Sequence, residues 1–234
     1  MEKEFNFITF LNIAKENFQI ILFDKSNLKS IYENELIFKN NHNKIDFELL
    51  SKFLDGNIYK VEKLLGNFIK DVVLIIDSDF NYYTNFCIKK FFNDNLINKK
   101  NLKNVLIDAK DLFNESYQEQ NIIHMIIKDY YGDGLNNSSF EVERQSDYLS
   151  LEINFISLPQ DFILKFGKIL KKYEIKTSRI LCRHYLESFL DKNTPTLPNI
   201  ACKIIEGENK NEILLVPKSD KNTGIFEKFF QIFS

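Results

Sequence analysis

Apolar and polar residues alternate in short runs at the start of the chain. Residues 7–38 read FITFLNIAKENFQIILFDKSNLKSIYENELIF, and the polar breaks KEN and DKSN divide them into three runs. Alternation bounded by turn residues is typical of a β-meander. After the polar break KNNHNK, apolar side chains recur at α-helical spacing, and Asp46 is the expected N-cap. The residues on this helical pattern are Phe47, Leu50, Phe53, Leu54, Val61, Leu64, Leu65 and Phe68.

Strands and helices then follow one another without a regular βαβ alternation. Apolar runs predict strands, and apolar residues at a spacing of three to four predict helices. The predicted strands are residues 72–77, 81–92, 121–134, 148–159 and 212–218. The predicted helices are residues 99–115, 160–175 and 199–209, and residues 177–191 read as a short strand that runs into a helix. The expected class is α+β, with mainly antiparallel sheet.

The last ten residues, IFEKFFQIFS, have a strongly two-sided pattern. On a helical projection the large apolar side chains fall within an arc of about 160°, and the polar ones occupy the opposite side. These apolar residues are Ile225, Phe226, Phe229, Phe230, Ile232 and Phe233. The pattern predicts an amphipathic helix, preceded by a polar linker. Such a face either docks on the protein's own body or lies in a membrane interface, and the pattern alone leaves both open.

Composition points to a globular protein that binds no nucleic acid. Apolar residues make up 44% of the 234 residues, and 31 basic and 33 acidic residues are interspersed, so the chain lacks a basic stripe. The cysteines are few and widely spaced, which fits a reducing cytosol. No apolar run reaches 18 residues and the N-terminus is acidic, so we expect the protein on the cytoplasmic side of the membrane.

Candidate chemistry is sparse, and no catalytic residue, cofactor or metal is predicted. Seven glycines leave little material for a phosphate-binding loop. Cys182 and His184 would share one face of a strand as a nucleophile pair, but a buried cysteine beside a surface histidine is the favoured interpretation. Asp77 and Asp79 could hold a cation or simply serve a turn, and the turn is favoured. His124, inside an apolar strand, is expected to be hydrogen-bonded in the core.

Residues 121–134, NIIHMIIKDYYGDG, resemble the segment "ilHviPqeYivDg" of the FtsA family, the actin-like proteins of bacterial cell division. The matching positions are His124, Ile126, Tyr130, Asp133 and Gly134. LSLEINFIS is similar to the family's strand "rLEveVhiv". The preceding helix, NLKNVLIDAKDLFNE, is similar to "ediervleaAr", and the later helix, FILKFGKILKKYEIKTSRIL, also has a family counterpart. Together these segments cover residues 56–190.

The resemblance implies an SHS2-type antiparallel sheet with packed helices, attached to a reduced actin-like (ASKHA) remnant. In the family the SHS2-type subdomain is an interaction platform for self-assembly and for later divisome components. The implied divisions are a remnant β-meander at 1–50, the SHS2-type subdomain at 51–175, a return segment at 176–217, a linker at 218–224 and a membrane-targeting helix at 225–234.

The resemblance also implies that the phosphate-binding positions are degenerate. Asn12, Ala14 and Lys15 stand where the family sequence "DiGT" has Asp, Gly and Thr. The change to Asn removes a carboxylate, and a Cβ at the Gly position obstructs close approach of phosphate. The family's second phosphate loop, "DiGggTTd", has no counterpart here. We therefore expect neither ATP hydrolysis nor ATP binding.

The expected function is that of a non-enzymatic cell-division adaptor on the inner face of the cell membrane, at midcell. The resemblance implies divisome proteins, the membrane surface and further copies of the chain as partners. Direct FtsZ binding is left open, because the family's FtsZ-binding subdomain has no counterpart here. One alternative is an actin-like ATP-binding protein with residual ATPase activity. Another is a type IV pilus adaptor of the PilM kind, against which the amphipathic terminus argues.

Overall fold

The computed structural model describes residues 6–39, 45–92, 96–133, 135–137, 144–190 and 196–213. These residues fall into two compact units. Unit 1 contains the described residues of Met1–Asn81 and Asp161–Glu206, and unit 2 contains those of Tyr82–Gln160 and Gly207–Ser234.

Strands and helices are mixed along the chain, as the sequence predicts. The strands are β1 (Phe7–Ile13), β2 (Asn17–Asp24), β3 (Lys29–Ile37), β4 (Asp71–Ile76), β5 (Tyr82–Phe91), β6 (Leu96–Ile97), β7 (Gln120–Gly132), β8 (Leu135–Asn137), β9 (Arg144–Gln145), β10 (Tyr148–Pro159) and β11 (Lys176–Cys182). The helices are α1 (Phe47–Asp55), α2 (Ile58–Leu65), α3 (Lys99–Ser116), α4 (Gln160–Lys171), α5 (Arg183–Glu187) and α6 (Leu197–Ile205). A 3₁₀ turn covers Ser78–Phe80. The predicted α+β class is confirmed.

Unit 1 is organised around a mixed sheet with the strand order β11-β4-β1-β2-β3. Strands β1, β2 and β3 form the predicted antiparallel meander, whereas β4 pairs in parallel with both β1 and β11. Strands β1 and β4 lie inside the sheet and are almost continuously apolar, which is typical of strands covered on both faces. This arrangement brings the carboxyl ends of β1, β4 and β11 to one edge of the sheet.

The predicted cap of the first helix is confirmed. The carboxylate of Asp46 accepts a hydrogen bond from the backbone N–H of Leu49 at 2.9 Å. Helix α1 then buries Leu50, Phe53 and Leu54. The ring centroids of Phe18, on β2, and Phe53 lie 6.3 Å apart, so α1 covers one face of the meander.

Unit 2 is an antiparallel sheet with the order β5-β10-β7-β8, and α3 packs on one face of it. Helix α3 starts with a capping box formed by Asn98 and Asn101. The rings of Phe113, on α3, and Phe155, on β10, have centroids 4.8 Å apart at the centre of this core. Each such fully buried Phe stabilises the fold by roughly 1.5–3 kcal/mol.

A short segment near the end of the described chain adds to this sheet. The N–H of Ile127 donates to the carbonyl of Asn211 (2.9 Å), and the N–H of Ile213 donates to the carbonyl of Met125 (2.8 Å). Residues 211–213 therefore lie antiparallel to β7, at the start of the strand that the sequence predicts at 212–218.

The two units divide the chain at other positions than the predicted 51 and 175. Helices α1 and α2 and strand β4 belong to unit 1. The chain enters unit 2 at Tyr82 and returns to unit 1 after Gln160. The reason is long-range pairing, because β4 joins the sheet beside β1 rather than the antiparallel sheet. The predicted linker at 218–224 and helix at 225–234 lie outside the described residues.

Candidate functional site

Three parallel strands of unit 1 end side by side at one edge of the sheet. Ile13 of β1 and Cys182 of β11 both pair with Ile76 of β4. In sheets with parallel strands, ligands bind outside the carboxyl ends of the strands. Most of the candidate residues of unit 1 follow these strand ends, so we define the carboxyl edge by Asn12, Ala14, Lys15, Asp77, Asp79, Asn81, Cys182 and His184.

Asn12 is buried at the end of β1, with 3% of its surface exposed. Its Nδ2 donates to Oε1 of Gln19 (2.5 Å), and Nε2 of Gln19 donates to Oε1 of Glu33 (2.6 Å). A carboxylate only accepts hydrogen bonds, so Glu33 fixes the orientation of both amides. Oδ1 of Asn12 then has no hydrogen-bond partner among the described residues. The amide of Asn12 is thus engaged within the sheet.

The turn between β1 and β2 carries the other two degenerate phosphate positions. The N–H of Ala14 donates to the carbonyl of Asn17 at 3.0 Å and closes the turn. Ala14 and Lys15 are half-buried here. None of the three positions Asn12, Ala14 and Lys15 carries a carboxylate to orient a metal-bound water, and Glu16, the next residue of the turn, is exposed. The assignment of these positions to a lost phosphate loop stays a prediction from the resemblance.

The end of β4 is organised as a turn by hydrogen bonds to backbone carbonyls. The N–H of Asp77 donates to the carbonyl of Ile13 (3.0 Å), and Nδ2 of Asn81 donates to the carbonyl of Asp77 (2.7 Å). Asp77 is half-buried and Asp79 is exposed. No cluster of three or more His, Cys, Asp or Glu side chains suited to a metal ion occurs among the described residues. The geometry fits the turn interpretation.

The interpretation of Cys182 and His184 as two residues on one strand face is wrong. Cys182 is the last residue of β11, fully buried, and His184 lies in α5, where it is exposed. The chain turns into a helix between them, so the two side chains do not share a face. A buried cysteine beside a surface histidine is what the structure contains.

Cys202 is not an activated nucleophile. Burial first, and then the charge of Glu206, raise the pKa of Cys202 to about 11, against the opposing charge of Lys25. A thiol with this pKa is protonated at neutral pH and is a poor nucleophile. Cys87 is exposed on β5.

His124 of unit 2 is buried and has an acidic partner that sequence reasoning missed. Its Nδ1 lies 2.7 Å from Oε1 of Glu212, and the two residues are 1% and 2% exposed. The partners are 88 positions apart, so no local spacing links them. The sequence feature that could have indicated this partner is Glu212 itself, an acidic residue at the start of the apolar run EILLV. The pair fastens residues 211–213 to β7, which agrees with the expected hydrogen-bonded core histidine.

Two further residues of the resemblance also serve the fold of unit 2. Tyr130 is buried in the core beneath α3, and this burial raises its pKa above the ordinary value. Oδ2 of Asp133 accepts hydrogen bonds from the N–H of Asp147 (2.8 Å) and from Oγ of Ser146 (3.0 Å). These bonds tie the end of β7 to the start of β10. Gly134 lies outside the described residues.

The predicted membrane-binding residues also lie outside the described residues. They are Ile225, Phe226, Phe229, Phe230, Ile232 and Phe233. Within the described ranges, no helix combines the length and apolar character needed to cross a membrane.

Comparison with known proteins finds weak structural likeness. No family model matches the sequence, and a search of curated proteins finds no match. Among solved structures, the cytoplasmic domain of EpsL, an inner membrane component of the Vibrio cholerae type II secretion system, is 10% identical, with a TM-score of 0.38. The match covers 75% of this chain and 55% of that one.

Two other structures give similar figures. The PilM–PilN type IV pilus biogenesis complex is 7% identical over 76% of this chain and 48% of that one, with a TM-score of 0.45. A Bacteroides thetaiotaomicron protein of unknown function, described as having an actin-like ATPase fold, is 12% identical over 80% and 56%, with a TM-score of 0.36. The present chain spans about half the length of these solved chains.

None of these three structures is described as an FtsA, so the resemblance to that family stays a prediction. At 7–12% identity the likeness concerns the fold alone. The fold of this chain is α+β.

Proposed function

We propose that this chain is a non-enzymatic adaptor on a reduced actin-like fold, which binds protein partners beneath the cell membrane. The observation that carries the non-enzymatic part is the state of Asn12. Its amide is buried and donates to Gln19, and Lys15 follows in the turn. Neither group is a carboxylate that could hold a metal for the attack of water on a phosphate.

The open side of unit 2 supports binding of a protein partner. Alternate residues of β5 face away from α3, and the aromatic ones among them, Tyr83 and Phe91, are exposed. Nζ of Lys89 lies 3.6 Å from the ring centroid of Tyr148 on the neighbouring strand. Exposed aromatic side chains of this kind are enriched where proteins bind one another. The resemblance implies an interaction platform in the same part of the chain.

Membrane attachment is assigned to the amphipathic pattern of residues 225–234. Each Phe that enters the interface contributes up to roughly 1.5–3 kcal/mol, less the cost of forming a short helix. The sum supports reversible attachment of one chain. Several chains held together would attach stably, because linked weak sites reinforce one another.

Cell division is the cellular setting that the FtsA resemblance favours, with divisome proteins as partners and midcell as the location. Type IV pilus assembly is the second setting, since its PilM-type adaptors share the actin-like plan. Fluorescence imaging of the tagged protein, with and without residues 224–234, separates the two settings. A midcell band that requires these residues supports the first.

Co-sedimentation with anionic liposomes tests the attachment. We expect the wild-type chain to co-sediment, and Phe229→Glu/Phe230→Glu to remain in the supernatant. Gln231→Glu/Ser234→Glu is the matched control, because it adds the same two negative charges on the polar side of the projection. Equal binding by wild type and the Phe229/Phe230 variant would refute the membrane role.

Thermal unfolding with nucleotide tests the non-enzymatic part. A ligand that binds the native state raises the midpoint of unfolding. We expect no shift with ATP and Mg²⁺ at millimolar concentration. A clear upward shift would favour the residual-ATPase alternative.

A further inference from the structure

Strand β3 forms one edge of the sheet of unit 1. It pairs with β2 on one side, and no strand of the described residues pairs with it on the other. It is nine residues long and contains no proline. An edge strand of this kind presents unpaired N–H and C=O groups to which another strand can add.

The side chains of β3 alternate strictly between exposed and half-buried positions from Ile31 onward. Four exposed ones share a face, and we call them the β3 edge surface: Ile31, Glu33, Glu35 and Ile37. Ile31 is 46% exposed and Ile37 is 73% exposed. Two large apolar side chains therefore flank two carboxylates, in a pattern symmetric about Asn34.

Both carboxylates of this surface are held in place by amides of β2. Nε2 of Gln19 donates to Glu33 at 2.6 Å, and Nδ2 of Asn17 donates to Glu35. A carboxylate can accept about four hydrogen bonds, so each keeps capacity for a further donor. Within the described residues, no Lys, Arg or His nitrogen lies within 4.0 Å of either one. The β3 edge surface therefore contains a positioned acidic pair that no cationic side chain of the described residues contacts.

We propose that β3 takes, by strand addition, an extended segment of a partner protein with basic side chains at two alternate positions. These lie opposite Glu33 and Glu35, and apolar side chains of the segment lie opposite Ile31 and Ile37. Strand addition supplies main-chain hydrogen bonds, and the side chains of alternate residues supply specificity. Opposite charges in cross-strand pairs stabilise the pairing, whereas like charges oppose it.

The sequence argues that the partner is a different protein. A second copy of this chain would need two basic residues two positions apart, with apolar residues beyond them. No two of its 31 Lys and Arg residues are two positions apart. The inference goes beyond the proposed adaptor function, because it names the chemistry of one bound segment and the strand that binds it.

A fluorescent nine-residue peptide tests the proposal. The probe has lysine at its fourth and sixth positions, valine at the second and eighth, and threonine elsewhere. Because this pattern is symmetric, it opposes the β3 edge surface in either strand direction. A second probe has glutamate in place of lysine. We expect saturable binding of the lysine probe to the full chain by fluorescence anisotropy, and about tenfold weaker binding of the glutamate probe.

Charge reversal on the protein gives the decisive comparison. Glu33→Lys/Glu35→Lys is expected to bind the lysine probe about tenfold more weakly than the wild-type chain does. The same variant is expected to bind the glutamate probe with the affinity that the wild-type chain has for the lysine probe. Glu48→Lys/Asp71→Lys makes the same change in net charge at other exposed positions of unit 1 and is expected to leave binding of the lysine probe unchanged.

Several outcomes would overturn the proposal. These are no saturable binding of the lysine probe, equal binding of both probes by wild type, or equal losses in the two double variants. If circular dichroism shows that the Glu33/Glu35 variant is unfolded, the difference in affinity of the wild-type chain for the two probes still tests the proposal. Self-association that depends on Glu33 and Glu35 would make a second copy the occupant and also reject the proposal.

Discussion

Nδ1 of His124 and Oε1 of Glu212 lie 2.7 Å apart inside unit 2, and they join β7 to residues 211–213. Breaking a buried acid–base pair by removing one partner is strongly destabilising. We expect Glu212→Ala to lower the free energy of unfolding by about 3–5 kcal/mol. Urea denaturation followed by circular dichroism measures the change.

Controls separate this pair from a general loss of side-chain contacts. Glu119→Ala removes an exposed carboxylate of unit 2 and should change stability little. His124→Leu/Glu212→Leu removes both polar groups and should recover much of the loss. Hydrogen exchange should show faster exchange of the Ile213 N–H in Glu212→Ala. A variant Glu212→Ala as stable as Glu119→Ala would contradict the expectation.

Tyr173 links the chain after α4 to α1 within unit 1. Its hydroxyl lies 2.6 Å from Oδ1 of Asp55 and 3.1 Å from the carbonyl of Ser51. Tyr173→Phe removes this donor, and we expect it to lower the free energy of unfolding by about 1 kcal/mol at neutral pH. Tyr59→Phe, at an exposed position, is the matched control.

The same residue predicts a dependence on alkaline pH. Burial first, and then Asp55, raise the pKa of Tyr173 to about 12. A raised pKa means that the folded state holds the proton more tightly than the unfolded chain. The contribution is complete below the unfolded pKa of about 10 and is lost as pH rises toward 12. Urea midpoints should fall less steeply over this range in Tyr173→Phe; an identical slope would refute the role.

Asn12→Asp is expected to destabilise the chain without restoring nucleotide binding. The new carboxylate would face Oε1 of Gln19, whose amide is fixed by Glu33. We expect a loss of about 1–3 kcal/mol in the free energy of unfolding. Asn67→Asp makes the same chemical change where the side-chain oxygen already accepts a hydrogen bond from Phe68, and it should be nearly neutral. Stabilisation of Asn12→Asp by ATP and Mg²⁺ would contradict this prediction.

The three cysteines should differ sharply in reaction with a disulfide reagent at pH 8. Cys87 is exposed, whereas Cys182 and Cys202 are buried and burial raises the pKa of Cys202 to about 11. The thiolate is the reacting form, so one thiol should react rapidly in the folded protein. Cys87→Ser should remove this fast phase. The thiols of Cys182 and Cys202 should then react only after urea unfolds the protein. A fast phase that survives Cys87→Ser would be inconsistent with the described burial.

Local features of the fold follow from the sequence, and long-range ones do not. The N-cap at Asp46 needs only its own helix, and the meander needs only neighbouring runs, so pattern reasoning finds both. The parallel pairing of Leu181 with Ile75 joins residues separated by more than a hundred positions. Apolar runs carry no signal for which strand they will join, and this is why the unit boundaries differ from the predicted ones.

The candidate site divides in the same way. The buried state of Cys182 and the core hydrogen bond of His124 match expectation in kind. Two partners were missed: Glu212 lies far along the chain, and Gln19 contacts Asn12 across a hairpin. Residue type alone gave no reason to single out Glu212 or Gln19.

Strands β4 and β11 are neighbours in the sheet, yet the whole of Tyr82–Gln160 lies between them in the sequence. During synthesis on the ribosome, β4 therefore cannot pair with β11 until more than a hundred further residues are added, which takes on the order of ten seconds. During that interval the apolar edge of Val72–Ile76 is open to the wrong strands. The order of synthesis thus leaves an apolar strand edge exposed in the nascent chain. We expect chaperones to bind the nascent chain most strongly before Lys176 is synthesised.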